Sequence, residues 1–338
     1  MGEDLKKQTD AAGRSCSIVS VGAYVPEKVL TNADLEAMVE TSNEWIVTRT
    51  GIRERRVAAQ DEFTSDLGAK AAKAALAKAG VDATDIDLII VATITPDMPF
   101  PATACLVQEK IGATKAACFD LEAACSGFIY AMDVGRQFIR SGAAEVVLII
   151  GAEKLSSIID WTDRNTCVLF GDGAGAAVLK HRPDSRGILD VNIGSDGAKA
   201  GLLSMPGGGS QCPATPSSVE ARRHYLRMDG RETFKNAVQA MARSARQALE
   251  RAGVGIEDIT CVIPHQANQR IVDAVGDRLK LREDQVFVNL DKYGNTSAAS
   301  VVIALAEAEQ AGRIAKGELV LLVAFGAGLT WGASVLEW

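Results

Sequence analysis

The chain has few aromatic side chains and no excess of positive charge. Phe, Trp and Tyr make up 5% of its 338 residues, and 43 acidic against 36 basic residues give a formal net charge of −7. A general nucleic-acid-binding protein needs a basic surface and often stacks bases on aromatic rings. The composition therefore excludes that class, and an anionic partner has to bind at a local basic patch.

Paired cysteines and long apolar runs are also absent. The seven cysteines are spread along the chain without a CxxC pair, which argues against a disulfide framework or a zinc site and for a reducing cytosol. The N-terminal MGEDLKKQTDAAGRSCS is polar, so we expect no signal peptide. No apolar run approaches the roughly 20 residues of a membrane span. These features predict a cytoplasmic protein without a membrane segment.

An internal repeat organises the sequence. ALAKAGVDATDIDLII at 75–90 matches ALERAGVGIEDITCVI at 248–263, and GAAEVVLII at 142–150 matches AKGELVLLV at 315–323, both at an offset of 173 residues. Units of this length exceed the repeat of a solenoid, which is about 20–50 residues. Chance similarity between Ala-rich helices is the alternative to a duplicated domain.

Each copy alternates helices with strands. TSDLGAKAAKAALAKAG at 64–80 is rich in helix formers and opens on Thr64 and Ser65 as candidate caps. DLIIVATIT at 87–95 is typical of a strand buried on both faces. Further strands are predicted at 115–122, 145–153, 173–180, 259–265, 285–290 and 318–325.

Alternating strands and helices predict an α/β protein with parallel sheets covered on both faces. For a duplicated chain this gives a five-layered α/β/α/β/α sandwich, with one copy at 15–183 and the other at 184–338. The Gly-, Pro- and Ser-rich stretch at 199–227 is predicted to be a long surface loop, and such loops are often functional.

Cys125 differs from the other cysteines in its position. It follows a strand-like run and opens an apolar helix in DLEAACSGF. A thiol at a helix N-terminus lies near the positive end of the helix dipole and near free N–H groups, which favours the thiolate. Cys125 is therefore a candidate nucleophile, and a buried structural cysteine is the alternative.

Two other polar residues and a glycine loop also follow predicted strands. His265 comes directly after ITCVIP, and Asn295 lies in YGNTSAAS. Functional groups gather at the carboxyl ends of strands in α/β sheets, so Cys125, His265 and Asn295 are expected on one side of the molecule. The alternatives are a core or capping histidine for His265 and a plain helix cap or turn residue for Asn295. The loop AFGAGLTWG at 324–332 either directs N–H groups at an oxyanion, together with the Cys125 N–H, or forms a tight turn.

The motifs DLEAACSGF, IPHQAN and YGNTSAAS resemble the Cys-His-Asn triad of β-ketoacyl-acyl-carrier-protein synthase III. This is a thiolase-fold condensing enzyme that starts bacterial type II fatty acid synthesis. The resemblance runs over nearly the whole chain, from SVGAYVPEKVLTN to GLTWG, and includes SNEWIVTRTGIRERR. It implies a thiolase-like, internally duplicated five-layered fold and a homodimer.

The resemblance also implies a reaction in two halves. Cys125 would take an acyl group, typically acetyl, from acyl-CoA, while the N–H groups of Cys125 and Ala327 stabilise the oxyanion. His265 and Asn295 would then stabilise the enolate formed when malonyl-acyl carrier protein loses CO2, and this carbanion would attack the acyl-cysteine. No metal and no redox cofactor is expected, since acyl-CoA and malonyl-acyl carrier protein are substrates.

Further roles are implied for residues along the substrate path. Trp45 and Arg164 would sandwich the CoA adenine, and Arg49 would contact the CoA phosphates. Gly230 and Asn268 would line the pantetheine tunnel, and Lys235 and Arg270 would form the basic patch that receives the carrier protein. Phe100 would close the acyl pocket across the dimer interface.

The sequence departs from the family pattern in the glycine loop, where Ala327 takes the place of a middle glycine. An alanine fits there when its φ is negative or mildly strained. The nearest alternatives are a type III polyketide synthase and specialised starter-unit, quinolone-type or olefin-forming relatives. A Cys-His-Asn thioester hydrolase is the alternative from another class, and it would have to admit water to the acyl-enzyme.

Overall fold

The computed structural model describes residues 13–338. Residues 1–12, which make up most of the polar N-terminal segment considered above, lie outside the described part of the chain. The strands in chain order are β1 (Ser17–Tyr24), β2 (Val29–Thr31), β3 (Glu54–Arg56), β4 (Leu88–Ala92), β5 (Ala117–Leu121), β6 (Val146–Glu153), β7 (Gly173–Lys180), β8 (Ile188–Ser195), β9 (Leu203–Ser204), β10 (Arg227–Met228), β11 (Ile259–Pro264), β12 (Leu319–Gly326) and β13 (Thr330–Glu337).

The helices connect these strands and cover the sheets. In chain order they are α1 (Asn32–Glu36), α2 (Asn43–Thr50), α3 (Thr64–Ala79), α4 (Thr103–Ile111), α5 (Gly127–Arg140), α6 (Pro216–Glu220), α7 (Gly230–Ala252), α8 (Gln269–Leu279), α9 (Leu290–Tyr293) and α10 (Ala299–Gln310). None of the helices described is both long and apolar enough to cross a membrane.

Two large sheets share one strand order. The first is β1-β7-β6-β4-β5 and the second is β8-β13-β12-β11. In each sheet the strands at one end are parallel, as β4 is with β5 and β6, and β11 with β12. The prediction of parallel sheets is wrong for the other strands, because β7 and β13 pair antiparallel with both of their neighbours.

The alternation of side chains along the buried strands builds five layers. In β4, Ile90 and Ala92 face a central core together with α5 and α10, whereas Ile89 and Val91 face an outer core with α3 and α4. The second sheet packs against the same central helices on one face and against α7 and α8 on the other. Since successive residues of a strand point to opposite faces, a fully apolar strand is what a sheet covered on both sides needs. The predicted five-layered fold is confirmed.

The predicted caps of α3 at Thr64 and Ser65 and the predicted strand at 285–290 are wrong. The Thr64 hydroxyl donates to the Thr95 carbonyl oxygen (2.5 Å), and the Ser65 hydroxyl donates to the carboxylate of Asp97, so neither hydroxyl caps α3; instead, the N–H of Phe63 donates to Asp66 Oδ2. The segment 285–290 makes only an isolated bridge to β11, between Val286 and Val262, because the chain leaves the sheet there to enter α9.

The segment 199–227 is also more ordered than the predicted surface loop. It begins in a short 3-10 turn, continues into β9 and includes the helix α6, which is capped by the Thr215 side chain. Strand β9 pairs antiparallel with β10, which begins at the last residue of this segment. Leu226 anchors the segment in an apolar cluster beside α1 and α2.

Candidate active site

The start of helix α10 links the three predicted catalytic residues. Cys125 lies in a 3-10 turn before α5, His265 follows β11, and Asn295 precedes α10. The N–H of Ser297 donates to Asn295 Oδ1 (2.8 Å), the Ser297 hydroxyl is close enough to the Cys125 thiol to lower its pKa, and Ser300 Oγ lies 2.6 Å from His265 Nδ1. All three residues are buried, with exposed fractions of 6%, 3% and 7%.

The glycine loop after β12 lies directly against the backbone of Cys125. A Cβ atom on Gly326 would lie 2.6 Å from the Cys125 nitrogen, so only glycine permits this approach. The Thr330 hydroxyl joins the loop to the cysteine turn, with oxygen–oxygen distances of 2.9 Å to the Ala123 and Ala327 carbonyls. Ala327 is not among the described residues with a positive φ, which meets the condition for an alanine at this place.

Burial dominates the electrostatics of the Cys125 thiol. It raises the thiol pKa to about 12, against a smaller lowering by the Ser297 hydroxyl and with a further increase from the Glu153 charge. The sequence-based expectation of a thiolate favoured by the helix terminus is therefore not met, because burial has the larger effect on the thiol pKa. At neutral pH the thiol keeps its proton until something removes it.

His265 is held as a neutral imidazole. Burial lowers its pKa to about 3, so the ring carries no charge over the physiological range. Its ring nitrogen Nδ1 is hydrogen-bonded to the Ser300 hydroxyl, and its backbone N–H donates to the Val323 carbonyl of β12 (2.7 Å). When the Ser300 hydroxyl donates to Nδ1, the proton of the neutral ring is on Nε2, where it can be donated to a substrate oxygen.

Asn295 is fixed by the N-terminal half of the chain. Its N–H donates to the Leu169 carbonyl (2.8 Å), and its own carbonyl accepts from the Gly171 N–H (3.0 Å). Its side-chain oxygen already accepts from Ser297, so the amide NH2 group is the part left for a ligand. The N-cap residue of α10 is Ala298, so Asn295 is not the helix cap, and its side-chain contact to the Ser297 N–H is that of a turn residue.

Three residues of the site were missed by the sequence analysis. Glu153 ends β6 with a carboxyl that is completely buried, while Ser297 and Ala124 have positive φ values of 48° and 45°. A charged residue at the end of the apolar run EVVLIIGAE was the one available signal for Glu153. Nothing in the local sequence indicates the backbone conformation of Ser297 or Ala124.

The residues predicted to bind CoA lie around α2. The Arg164 guanidinium carbon is 4.8 Å from the centroid of the Trp45 ring, so the two groups already stack on each other. Arg49 is exposed on the same helix, and its carbonyl accepts a hydrogen bond from the Asn268 side chain (3.0 Å). Asn268 in turn caps α8 by accepting from the Arg270 N–H (2.9 Å). These contacts hold α2 and the start of α8 together.

The other predicted binding residues are exposed. Gly230 and Lys235 lie in the first turns of α7, and Arg270 on α8 places its guanidinium 5.8 Å from the ring centroid of Phe234, also on α7. Phe100 is 83% exposed, which is unusual for a large apolar side chain.

Together, the fold and the site define a class of protein. A buried cysteine before the central helix of one half of the chain, together with a buried histidine and asparagine from the other half, is the residue set of thiolase-fold condensing enzymes. The family described as 3-oxoacyl-[acyl-carrier-protein] synthase III matches residues 119–197, and its C-terminal counterpart matches 249–338.

Individual relatives support the same conclusion. A β-ketoacyl-[acyl-carrier-protein] synthase III of Caldanaerobacter subterraneus subsp. tengcongensis is 55% identical over 324 residues, which is 96% of this chain and 98% of that protein. One from Roseiflexus castenholzii is 55% identical over 322 residues, 95% and 98% of the two chains. The crystal structure of the 3-oxoacyl-[acyl-carrier-protein] synthase III of Aquifex aeolicus aligns with a TM-score of 0.89 at 49% identity, covering 96% of this chain and all of that one.

The chain belongs to the β-ketoacyl-acyl-carrier-protein synthase III family. It is an acyltransferase of the condensing type, and the resemblance found in the sequence is confirmed.

Proposed function

We propose that this enzyme moves an acetyl group from acetyl-CoA to Cys125 and condenses it with malonyl-acyl carrier protein to give acetoacetyl-acyl carrier protein. The observation that carries the assignment of residues is the shared anchoring of Cys125, His265 and Asn295 at the start of α10. It brings a thiol and two neutral hydrogen-bond donors into one buried site, as a decarboxylating condensation needs.

The first half-reaction is acyl transfer. The Cys125 sulfur attacks the thioester carbonyl, and the N–H groups of Cys125 and Ala327 bind the oxygen as negative charge develops on it. The close approach of the glycine loop to the cysteine backbone supports this pair of donors. The CoA thiolate then leaves, and the acyl group stays on the sulfur.

The second half-reaction is decarboxylation followed by carbon–carbon bond formation. Neutral His265 and the amide of Asn295 donate to the thioester carbonyl of the malonyl group, which stabilises the enolate as CO2 departs. The electron pair freed by the departing CO2 forms the new bond to the acyl carbon, and Cys125 is released. Because the broken bond supplies these electrons, we assign no metal or redox cofactor to the reaction.

The stacked pair Trp45 and Arg164 is assigned to the adenine of CoA. The two groups contact each other directly in this structure and would separate to admit the adenine. The inserted ring would gain stacking and cation–π energy, so a Trp45→Ala variant is expected to raise KM for acetyl-CoA about tenfold with little change in kcat. Steady-state kinetics with acetyl-CoA and with an acetyl-pantetheine thioester measure this. The truncated thioester lacks the adenine, so an equal rise in its KM contradicts the assignment.

The carrier protein is assigned to two exposed basic residues. Lys235 and Arg270 lie on the neighbouring helices α7 and α8 and present positive charge on a chain that is acidic overall. Such a local patch attracts an acidic partner while the rest of the surface repels it. Gly230 and Asn268 are assigned to the pantetheine arm between this patch and Cys125.

We also assign a homodimer and a location in the reducing cytosol. Strand β5 is the edge of the first sheet, and its Phe119 and Leu121 are only half-buried, as is expected of an edge that pairs with a second copy. The exposed Phe100 would then close the acyl pocket of the partner. Sedimentation of the purified enzyme as a single protomer contradicts this assignment.

Intact-mass measurement tests the proposed reaction directly. An acetyl adduct is expected after acetyl-CoA alone, and it should disappear only when malonyl-acyl carrier protein is added. An adduct formed with longer acyl-CoA donors but not with acetyl-CoA would instead indicate a specialised starter-unit enzyme. An adduct that is lost to water without a malonyl donor would indicate a thioester hydrolase.

A further inference from the structure

A buried carboxyl group lies behind the nucleophile without a role in the reaction described above. Glu153 ends β6, and its side chain is completely buried. Its Oε2 atom accepts from the Thr95 hydroxyl (2.7 Å), the Ile94 N–H (3.1 Å) and the Thr93 hydroxyl (3.2 Å). Its Oε1 atom has no hydrogen-bond partner among the described residues. The carboxyl is thus held rigidly by one oxygen, and the other oxygen remains available.

Ser297 lies between this carboxyl and the Cys125 thiol. The next residue, Ala298, packs against the backbone at Gly127 and at Gly151. A Cβ atom added to Gly127 would lie 3.5 Å from the Ala298 Cβ, and a Cβ atom added to Gly151 would lie 2.5 Å from the Ala298 carbonyl oxygen. Gly127 follows Cys125 by two residues, and Gly151 precedes Glu153 by two. The absence of side chains at both glycines therefore lets the turn at Ser297 sit directly between the two groups.

The Ser297 hydroxyl is itself buried and unpartnered within the described part of the chain. It makes no hydrogen bond of ordinary geometry, yet it is close enough to lower the pKa of both the Glu153 carboxyl and the Cys125 thiol. Its φ of 48° is a strained conformation for serine. Buried polar atoms without partners are rare in proteins, and Ser297 Oγ and Glu153 Oε1 are two of them in the same site as the Cys125 thiol, which points to a function in the reaction.

The pKa values of Cys125, His265 and Glu153 indicate which group can take the thiol proton. Burial raises the pKa of Cys125 to about 12 and lowers that of His265 to about 3, so neither a free thiolate nor an imidazolium forms readily. Burial raises the pKa of Glu153 to about 7, against lowering by its three hydrogen-bond donors and by the nearby Ser297 hydroxyl. Near neutral pH this carboxylate is a better proton acceptor than the histidine.

The other charged groups near Glu153 are already engaged. The ammonium of the next residue, Lys154, turns away to backbone carbonyls at 59, 60 and 62. Asp172, which precedes the glycine paired with Glu153 in β7, accepts hydrogen bonds from Ala58 and Ser156 with both oxygens.

We propose that the Ser297 hydroxyl relays the thiol proton of Cys125 to Glu153 when the nucleophile attacks. This role rests on the acyl transfer proposed above. As the S–H bond breaks, its proton moves to Ser297 Oγ, and the proton of that hydroxyl moves to Glu153 Oε1. The sulfur electron pair forms the bond to the acyl carbon, and the CoA thiolate leaves and takes a proton from solvent. During condensation the sulfur is released and regains its proton from Glu153 through Ser297, so the site returns to its starting state.

Alkylation of Cys125 by iodoacetamide across pH 5 to 10 tests the relay without any acyl donor. Peptide mapping assigns the product to Cys125 among the seven cysteines. In the parent enzyme the rate should rise with an inflection near pH 7 and then level off, because the relay works only when Glu153 is ionised. In a Glu153→Gln variant the inflection should disappear, and the rate at pH 8 should fall at least about tenfold.

Two further variants separate the relay from structural effects. Ser297→Gly removes the hydroxyl but tolerates a φ of 48° without strain, so it should fold and still lose the inflection. Asp172→Asn changes another buried carboxyl whose oxygens are both partnered, and it should keep the inflection. An unchanged pH profile in the Glu153→Gln and Ser297→Gly variants overturns the relay. If the parent enzyme shows the inflection but takes no acetyl group from acetyl-CoA, the relay stands and the proposed function fails.

Discussion

A Cys125→Ala variant is expected to take no acetyl group from acetyl-CoA, and its overall rate should fall by about 10⁴-fold or more. The physical reason is the loss of the sulfur atom to which the acyl group is proposed to bind covalently, since His265 and Asn295 act as hydrogen-bond donors. Intact-mass measurement after incubation with acetyl-CoA gives the result in one step. The variant should fold normally, because the substitution removes one sulfur atom and leaves the turn before α5 unchanged.

Cys261→Ala is the matched control for this prediction. Cys261 lies in β11, is also fully buried, and has its pKa raised to about 11 by burial. The same loss of a buried thiol there should leave acetyl loading intact. An acetyl adduct that persists in Cys125→Ala, or one that disappears in Cys261→Ala, assigns the nucleophile to a different cysteine.

Much of the fold could be predicted because its determinants are local. The apolar runs of β4, β6 and β12 show burial on both faces directly, and the repeated pattern of helix and strand gives the duplication. The antiparallel pairing of β7 and β13 was not predictable in this way. It depends on the direction in which the chain re-enters the sheet, and strand composition carries no information on that direction.

The candidate site was predictable only in part for a related reason. Cys125, His265 and Asn295 each follow a strand, so placement rules bring them to one region. The pKa of Cys125 was misjudged because the local sequence shows the helix terminus but not the depth of burial, and burial has the larger effect. Glu153 and Ser297 were missed because their interaction depends on contacts between segments about 140 residues apart and on a backbone angle that serine rarely adopts.

Asn295 is expected to separate the two half-reactions. An Asn295→Ala variant should load acetyl from acetyl-CoA at close to the parent rate, because the acyl-transfer oxyanion is bound by backbone N–H groups. Decarboxylation of malonyl-acyl carrier protein should fall by about 10²–10³-fold, the usual effect of removing one donor to a developing oxyanion. Stopped-flow loading and release of labelled CO2 measure the two steps separately.

The design of the Asn295 experiment has to respect the turn that this residue supports. Its side-chain oxygen accepts the Ser297 N–H (2.8 Å), so alanine also removes a structural contact. Asn295→Asp retains that acceptor and replaces the donating NH2 group with an oxygen that carries negative charge when the carboxyl is ionised, and it should therefore reproduce the loss of decarboxylation with the turn intact. Asn192→Ala provides the control for deleting a buried asparagine, since Asn192 donates to Gln247 on the far side of the second sheet. If both Asn295 variants failed to load acetyl while Asn192→Ala loaded normally, Asn295 would belong to the acyl-transfer step, and the enolate would have to be stabilised by His265 alone.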